Sequence, residues 1–142
     1  MGQDQVLNII QFLHVLIDIF NCSYIFIFSS KYDIYFATWI LLQTLHWLLL
    51  KNECIVSYIE KKIENPYYKL GSDPKRVPHN EVYFNEYTLT AKAIIILSTL
   101  LIIIYRAKTK TVQGIAGLAI VLWIYLTYFH NDIMKKIKKP NL

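Results

Sequence analysis

The sequence predicts an all-α fold, a four-helix transmembrane bundle made of two helical hairpins. Three observations predict it. Four long apolar stretches, residues 6–28, 34–50, 88–105 and 113–129, cover more than half of the 142 residues. Each approaches the roughly 20 residues that a helix needs to cross a hydrocarbon core ~30 Å thick. The charged residues, 18% of the chain, fall almost wholly between these blocks. A hydrophobic content of 55% would be unremarkable in a soluble protein; its blockwise distribution decides the class. The whole chain, 1–142, reads as one integral membrane domain, because no polar stretch is long enough to bury a core of its own.

The first span, residues 6–28, is followed by the short turn Ser29-Ser30-Lys31-Tyr32-Asp33. The second, residues 34–50, must therefore return antiparallel beside it. Residues 106–112 join the third and fourth spans in the same way. The two hairpins are tied by a long inner loop, residues 51–87. Within it Ile55, Ile59 and Ile63 recur every four residues, with Glu60, Lys61, Lys62 and Glu64 on the other face. That period predicts an amphipathic helix, either extending the second span or lying in the headgroups. Asn65-Pro66 ends it, since a residue before proline avoids the helical region. From Tyr67 to Glu86 the glycine, prolines and alternating charges predict an ordered loop. A basic tail, residues 130–142, closes the chain.

The formal charge is +5. Nucleic acid is excluded as a partner, because no basic stripe lies on a soluble fold that could track phosphates. The cations are juxtamembrane, where anionic lipid headgroups attract each by about 1 kcal/mol. Ten Lys and Arg lie in the long loop and tail against four in the two short turns. This bias places both termini and the long loop on the cytoplasmic side. Cys22 lies deep in the first span and Cys54 just past the second, so the two should be free thiols rather than a disulfide.

Polar residues interrupt the spans at related depths. Gln11, His14 and Asp18 are spaced three and four apart and share one face of the first helix. Gln43 and His46 belong to the second span, Lys92 to the third, and His130 follows the fourth. Ionisable groups at such depths face the bundle rather than lipid, so these residues form a candidate intramembrane cluster, with Lys92 the cation available to Asp18. Gly114, Ala116, Gly117 and Ala119 make one stretch of the fourth span small, which permits close helix approach.

The segment Cys54-Ile55-Val56-Ser57-Tyr58-Ile59-Glu60 follows a span carrying His46-Trp47. It resembles the Cys-Pro-Leu-Thr-x-x-Glu segment of a family of small bacterial four-span membrane proteins, domain family of unknown function 2784. Cys54, Ser57 and Glu60 keep its spacing, and His14 matches a first-span histidine of that family. The proline is missing and serine replaces threonine. The resemblance implies a four-helix topology and no assigned activity.

No phosphate-binding loop, paired Cys-x-x-Cys or nucleophile elbow occurs. The expectation is thus a non-enzymatic structural or assembly component that interacts with lipid and other membrane proteins through its loop and tail, with no metal or cofactor. The alternative is a proton or ion transporter using the His/Asp cluster. A third reading is a haem-binding redox protein, with His14 and His46 as axial ligands. The topology is testable by cysteine-accessibility labelling: Asn80→Cys and Lys108→Cys should label from opposite sides, and labelling from one side would defeat the four-span arrangement.

Overall fold

The structure is a computed structural model and describes residues 2–130. Most of the basic tail therefore lies outside the described residues. Among these the fold is all-helical, with α1 Gln3–Ile27, α2 Asp33–Leu49, α3 Ile55–Glu64, α4 Pro78–Tyr83, α5 Glu86–Arg106 and α6 Lys110–Ile124. A π-helical turn, Tyr125–Phe129, continues α6. Three helices are long and apolar enough to cross a membrane: α1, α5 and α6 with its π turn. At 17 residues, α2 is about 25 Å long, short of the full hydrocarbon thickness.

Local chemistry sets the helix ends. Asn85 and Thr88 form a reciprocal cap on α5, with the Thr88 amide donating to Asn85 Oδ1 and the Asn85 amide to Thr88 Oγ1 (2.9 and 2.8 Å). Pro78 opens α4, where its missing N–H costs nothing. That short helix lies in the segment expected to be loop. Six residues with glycine and prolines upstream carry too little periodicity to be read in advance.

The first hairpin is splayed rather than closed. At the turn end Tyr24 stacks on Phe36 with ring centroids 4.0 Å apart. The Tyr24 hydroxyl donates to Asp33 (2.9 Å), and Arg106 at the end of α5 clamps the same carboxylate (2.5 and 2.8 Å). Away from this clasp α2 packs on α6 instead of α1. The core is Tyr24, Phe36, Ala37, Ile40, Ile96, Leu100, Ile103, Ala116 and Ala119. The close approach of α6 comes from Ala116 and Ala119, both fully buried. Gly114 and Gly117 do not contribute to it, since a Cβ at either would meet nothing within 4 Å.

The space left by the splay is taken by the long connection. Glu60 meets His14, while the side chain of Gln3 donates to the Ile63 carbonyl. So α3 runs antiparallel along the first half of α1. It turns its polar side inward: Ser57, Glu60 and Lys61 are buried, whereas Ile55 and Ile59 are 41% and 40% exposed. A buried pair, Lys61 Nζ to Glu53 (2.6 Å), anchors the base of this insertion. Lys61 also donates to the Asp73 carbonyl (2.7 Å), and Gly71 N donates to Glu53 Oε2 (3.0 Å). Tyr68 donates its hydroxyl to Glu53 as well. At the end of α2, Lys51 and Asn52 take left-handed backbone conformations. Asn52 then donates its side-chain amide to the Leu126 carbonyl in the π turn (2.9 Å).

Gly71 has φ +80° and lies against Lys51, whose Cδ and Cβ would be 2.8 and 2.9 Å from an added Cβ. Gly71→Ala should therefore destabilise the protein by roughly 1–3 kcal/mol. Gly117→Ala, in open helix, should be neutral or stabilising by up to about 1 kcal/mol. Thermal unfolding in detergent checks the contrast; equal effects would contradict this packing.

Candidate functional site

The site begins with the polar stripe of α1. His14 projects toward α3, where its Nδ1 meets Glu60 Oε1 at 2.9 Å. Its Nε2 lies 3.7 Å from the sulfur of Cys54, the residue that precedes α3. One turn on, Asp18 Oδ2 accepts from His79 Nε2 of α4 (3.0 Å) and from Lys92 Nζ of α5 (2.8 Å). Glu60 Oε2 receives the backbone N–H of His79 (3.3 Å). The rings of His14 and His79 face each other with centroids 3.7 Å apart. Lys92 further reaches Asn80 (3.4 Å) and sits over the Phe84 ring. Four helices thus converge on one unbroken series of contacts, from Cys54 through His14, Glu60, His79 and Asp18 to Lys92.

Burial makes the arrangement costly unless it is paired. Glu60 is fully buried and His79 is 2% exposed. Desolvation opposes ionisation of Glu60, but hydrogen bonds and charge from His14 and His79 outweigh it and hold the carboxyl at about 2. At Cys54 burial likewise pushes the thiol up. The neighbouring His14 and the amides of Val56 and Ser57 at the start of α3 bring it below its ordinary value. Two buried polar atoms have no hydrogen-bond partner among the described residues of this site, Ser57 Oγ and His79 Nδ1.

A cavity of about 650 Å³ opens against this cluster, between the splayed α1 and α2. One wall is polar, with His14, Asp18, Cys54, Ser57, His79 and Lys92. The rest of the lining is mixed, with Ile40, Leu126 and all three tryptophans of the chain, Trp39, Trp47 and Trp123, interspersed with Gln43 and His46.

The sequence-predicted residues divide accordingly. His14, Asp18 and Lys92 lie in the cluster, and Cys54, Ser57 and Glu60 join it from the loop motif. Gln11 is buried on the same face of α1. Gln43 accepts from Asn21 (3.2 Å), higher in the cavity. His46 lines the cavity too, but its Nε2 takes the Ile55 amide (3.0 Å) and so holds the start of α3. His130 lies outside the cluster, with Nδ1 on the Tyr125 hydroxyl (3.2 Å); the extra residue of the π turn sets its direction. Glu60 finds histidines rather than Lys61, because Lys61 is committed to Glu53. His79 was not anticipated. It stands in a glycine- and proline-containing segment with no period, and only its Pro-His-Asn setting marks it. Both cysteines are free.

Glu60 generates a pH prediction. A carboxyl held below its ordinary value of 4.5 stabilises the folded state above that pH, and the contribution is lost as pH falls toward about 2. Stability in detergent should decline across that window, and Glu60→Gln should flatten the decline. Identical acid limbs for both proteins would show that Glu60 is not so paired.

No protein-family model matches the chain, and no curated protein or solved structure is significantly similar to it.

Proposed function

We propose that the chain is a four-span membrane protein that binds a single-chain amphiphile in its internal cavity, the histidine–carboxylate wall reading the polar head. As the fourth span α2 has support in its composition: residues 34–50 contain no Asp, Glu, Lys or Arg. Its Leu42 and Leu49 are 57% and 81% exposed, as lipid-facing residues are. Slight local thinning of the bilayer accommodates a helix of this length. The expectation of an assembly component rested on the lack of visible chemistry in the sequence and on the long inner loop. The converging polar cluster supports a ligand reading beside it.

The observation that carries the ligand reading is the cavity's lining, which combines three tryptophans with a cluster of titratable side chains. Its volume lies within the range of small-molecule sites, which are mostly apolar with a few placed polar groups. Ser57 and His79, whose Oγ and Nδ1 have no hydrogen-bond partner among the described residues, both line it. Those two atoms are buried, so a head offering a hydroxyl or carboxyl group would satisfy them once the side chains turn toward the cavity. The chain of the amphiphile would lie along the tryptophans.

Because every tryptophan of the chain lines the cavity, intrinsic fluorescence reports on it directly. A fatty acid brominated on its chain should quench the detergent-purified protein saturably. The unbrominated acid should reverse the quenching, and Trp123→Phe should remove part of the signal. Quenching that rises linearly with the probe and resists competition would reflect partition into micelles and would refute a binding site.

A further inference from the structure

We infer that His14, Glu60 and His79 form a binding site for one divalent first-row transition-metal ion, zinc being the reference case. Their ligating atoms all lie within 4.8 Å of one another, and all three residues are buried. His14 Nδ1 lies 2.9 Å from Glu60 Oε1 and His79 Nδ1 3.7 Å from Glu60 Oε2. A tetrahedral ion bound at ~2.0–2.2 Å holds its ligand atoms roughly 3.3–3.6 Å apart. The three ligands therefore need to draw in from their present span of up to 4.8 Å. Two imidazoles and one carboxylate are a set suited to zinc.

The hydrogen-bond pattern leaves a place for a cation at this point. His79 Nε2 faces the Asp18 carboxylate, which is also held by Lys92. On the other side of the ring Nδ1 faces Glu60 Oε2 at 3.7 Å and has no hydrogen-bond partner among the described residues. A bound metal ion would give Nδ1 a partner and join it to the Glu60 carboxylate. The proton on His14 Nδ1 would move off that nitrogen, to Nε2 or to water, as coordination replaces its hydrogen bond to Glu60.

The surroundings match what metal sites use to orient their ligands. A histidine that ligates through one nitrogen commonly gives its other N–H to a carboxylate, as His79 does to Asp18. The sulfur of Cys54 occupies the corresponding place behind His14, on Nε2. His14 and His79 both line the cavity, so a fourth coordination position would open onto it. The assignment shares one atom with the amphiphile reading, His79 Nδ1, and a bound metal would leave only Ser57 Oγ to the head group.

The experiment is zinc titration of the full chain, purified in detergent and stripped with chelator, against a chromophoric competitor, with the bound metal counted by mass spectrometry. One ion per chain is expected. Glu60→Gln and His79→Asn should each weaken binding at least 100-fold. Asp18→Asn, which only orients His79, should weaken it about 10–100-fold. His130→Gln should leave it unchanged. Substoichiometric binding, or an affinity that Glu60→Gln and His79→Asn do not alter, would overturn the assignment. Should the variants fail to fold, X-ray absorption of the zinc-loaded native chain decides. Two imidazoles and an oxygen donor support the site, and a sulfur ligand refutes it. Tryptophan quenching by the brominated acid, repeated on the stripped protein, reads the amphiphile site independently.

Discussion

Pairing of the polar stripe on α1 is the constraint on which the rest of this structure depends. His14 and Asp18 stand in the middle of a long apolar helix, where an unpaired charge is costly. Neither the turn nor α2 supplies a partner for them. The partners come from far along the chain: Glu60 at 46 residues' separation, His79 at 61 and Lys92 at 74. Satisfying them draws α3 and α4 against α1 and holds α5 beside them. It also explains why α3 turns Glu60 and Lys61 inward and leaves Ile55 and Ile59 facing out. In water that orientation would waste apolar burial. Next to a membrane the outward isoleucines have lipid to meet.

The two ends of the bundle solve different problems. At the turn end the Asp33–Arg106–Tyr24 clasp, the stacked aromatic rings and the buried alanines of α6 bring helices close. At the other end the inserted connection wedges α1 and α2 apart, and the cavity is the volume that α3 does not fill. The buried Lys61–Glu53 pair anchors that wedge. Such pairs often add little net stability over an apolar replacement, yet breaking one leaves an uncompensated charge worth about 3–5 kcal/mol. Its value here lies in position: with Tyr68, Gly71 and Asp73 it fixes where the connection re-enters the bundle, and therefore where Glu60 and His79 point.

The chemistry of the site follows from that placement. Two histidines, the Asp18 carboxylate, a thiol and an ammonium line a cavity that three tryptophans also line, with Glu60 buried behind the histidines. Buried polar groups in such number are expensive, and purely structural helix-to-helix hydrogen bonds in membranes contribute only about 0.6 kcal/mol each on average. Within this cluster Ser57 Oγ and His79 Nδ1 have no hydrogen-bond partner among the described residues, which is the ground for the proposal that it receives a ligand.

What the sequence by itself determined is the helical content, the four apolar segments to within about three residues, and the common face of Gln11, His14 and Asp18. It also nominated Lys92 as the cation for Asp18 and identified the α3 helix by its isoleucine period. These are local properties, legible because hydropathy and the 3.6-residue period act over a few turns. Tertiary structure alone decided the splay of the first hairpin, the inward turn of α3, the recruitment of His79 and the exclusion of His130. Each depends on contacts across dozens of residues and on one short, aperiodic segment, 65–85, whose path no local preference sets. Amphipathicity revealed that α3 has two faces; only the need of His14 on a neighbouring helix for a partner determined that Glu60 and Lys61 would be buried while Glu64 stays exposed.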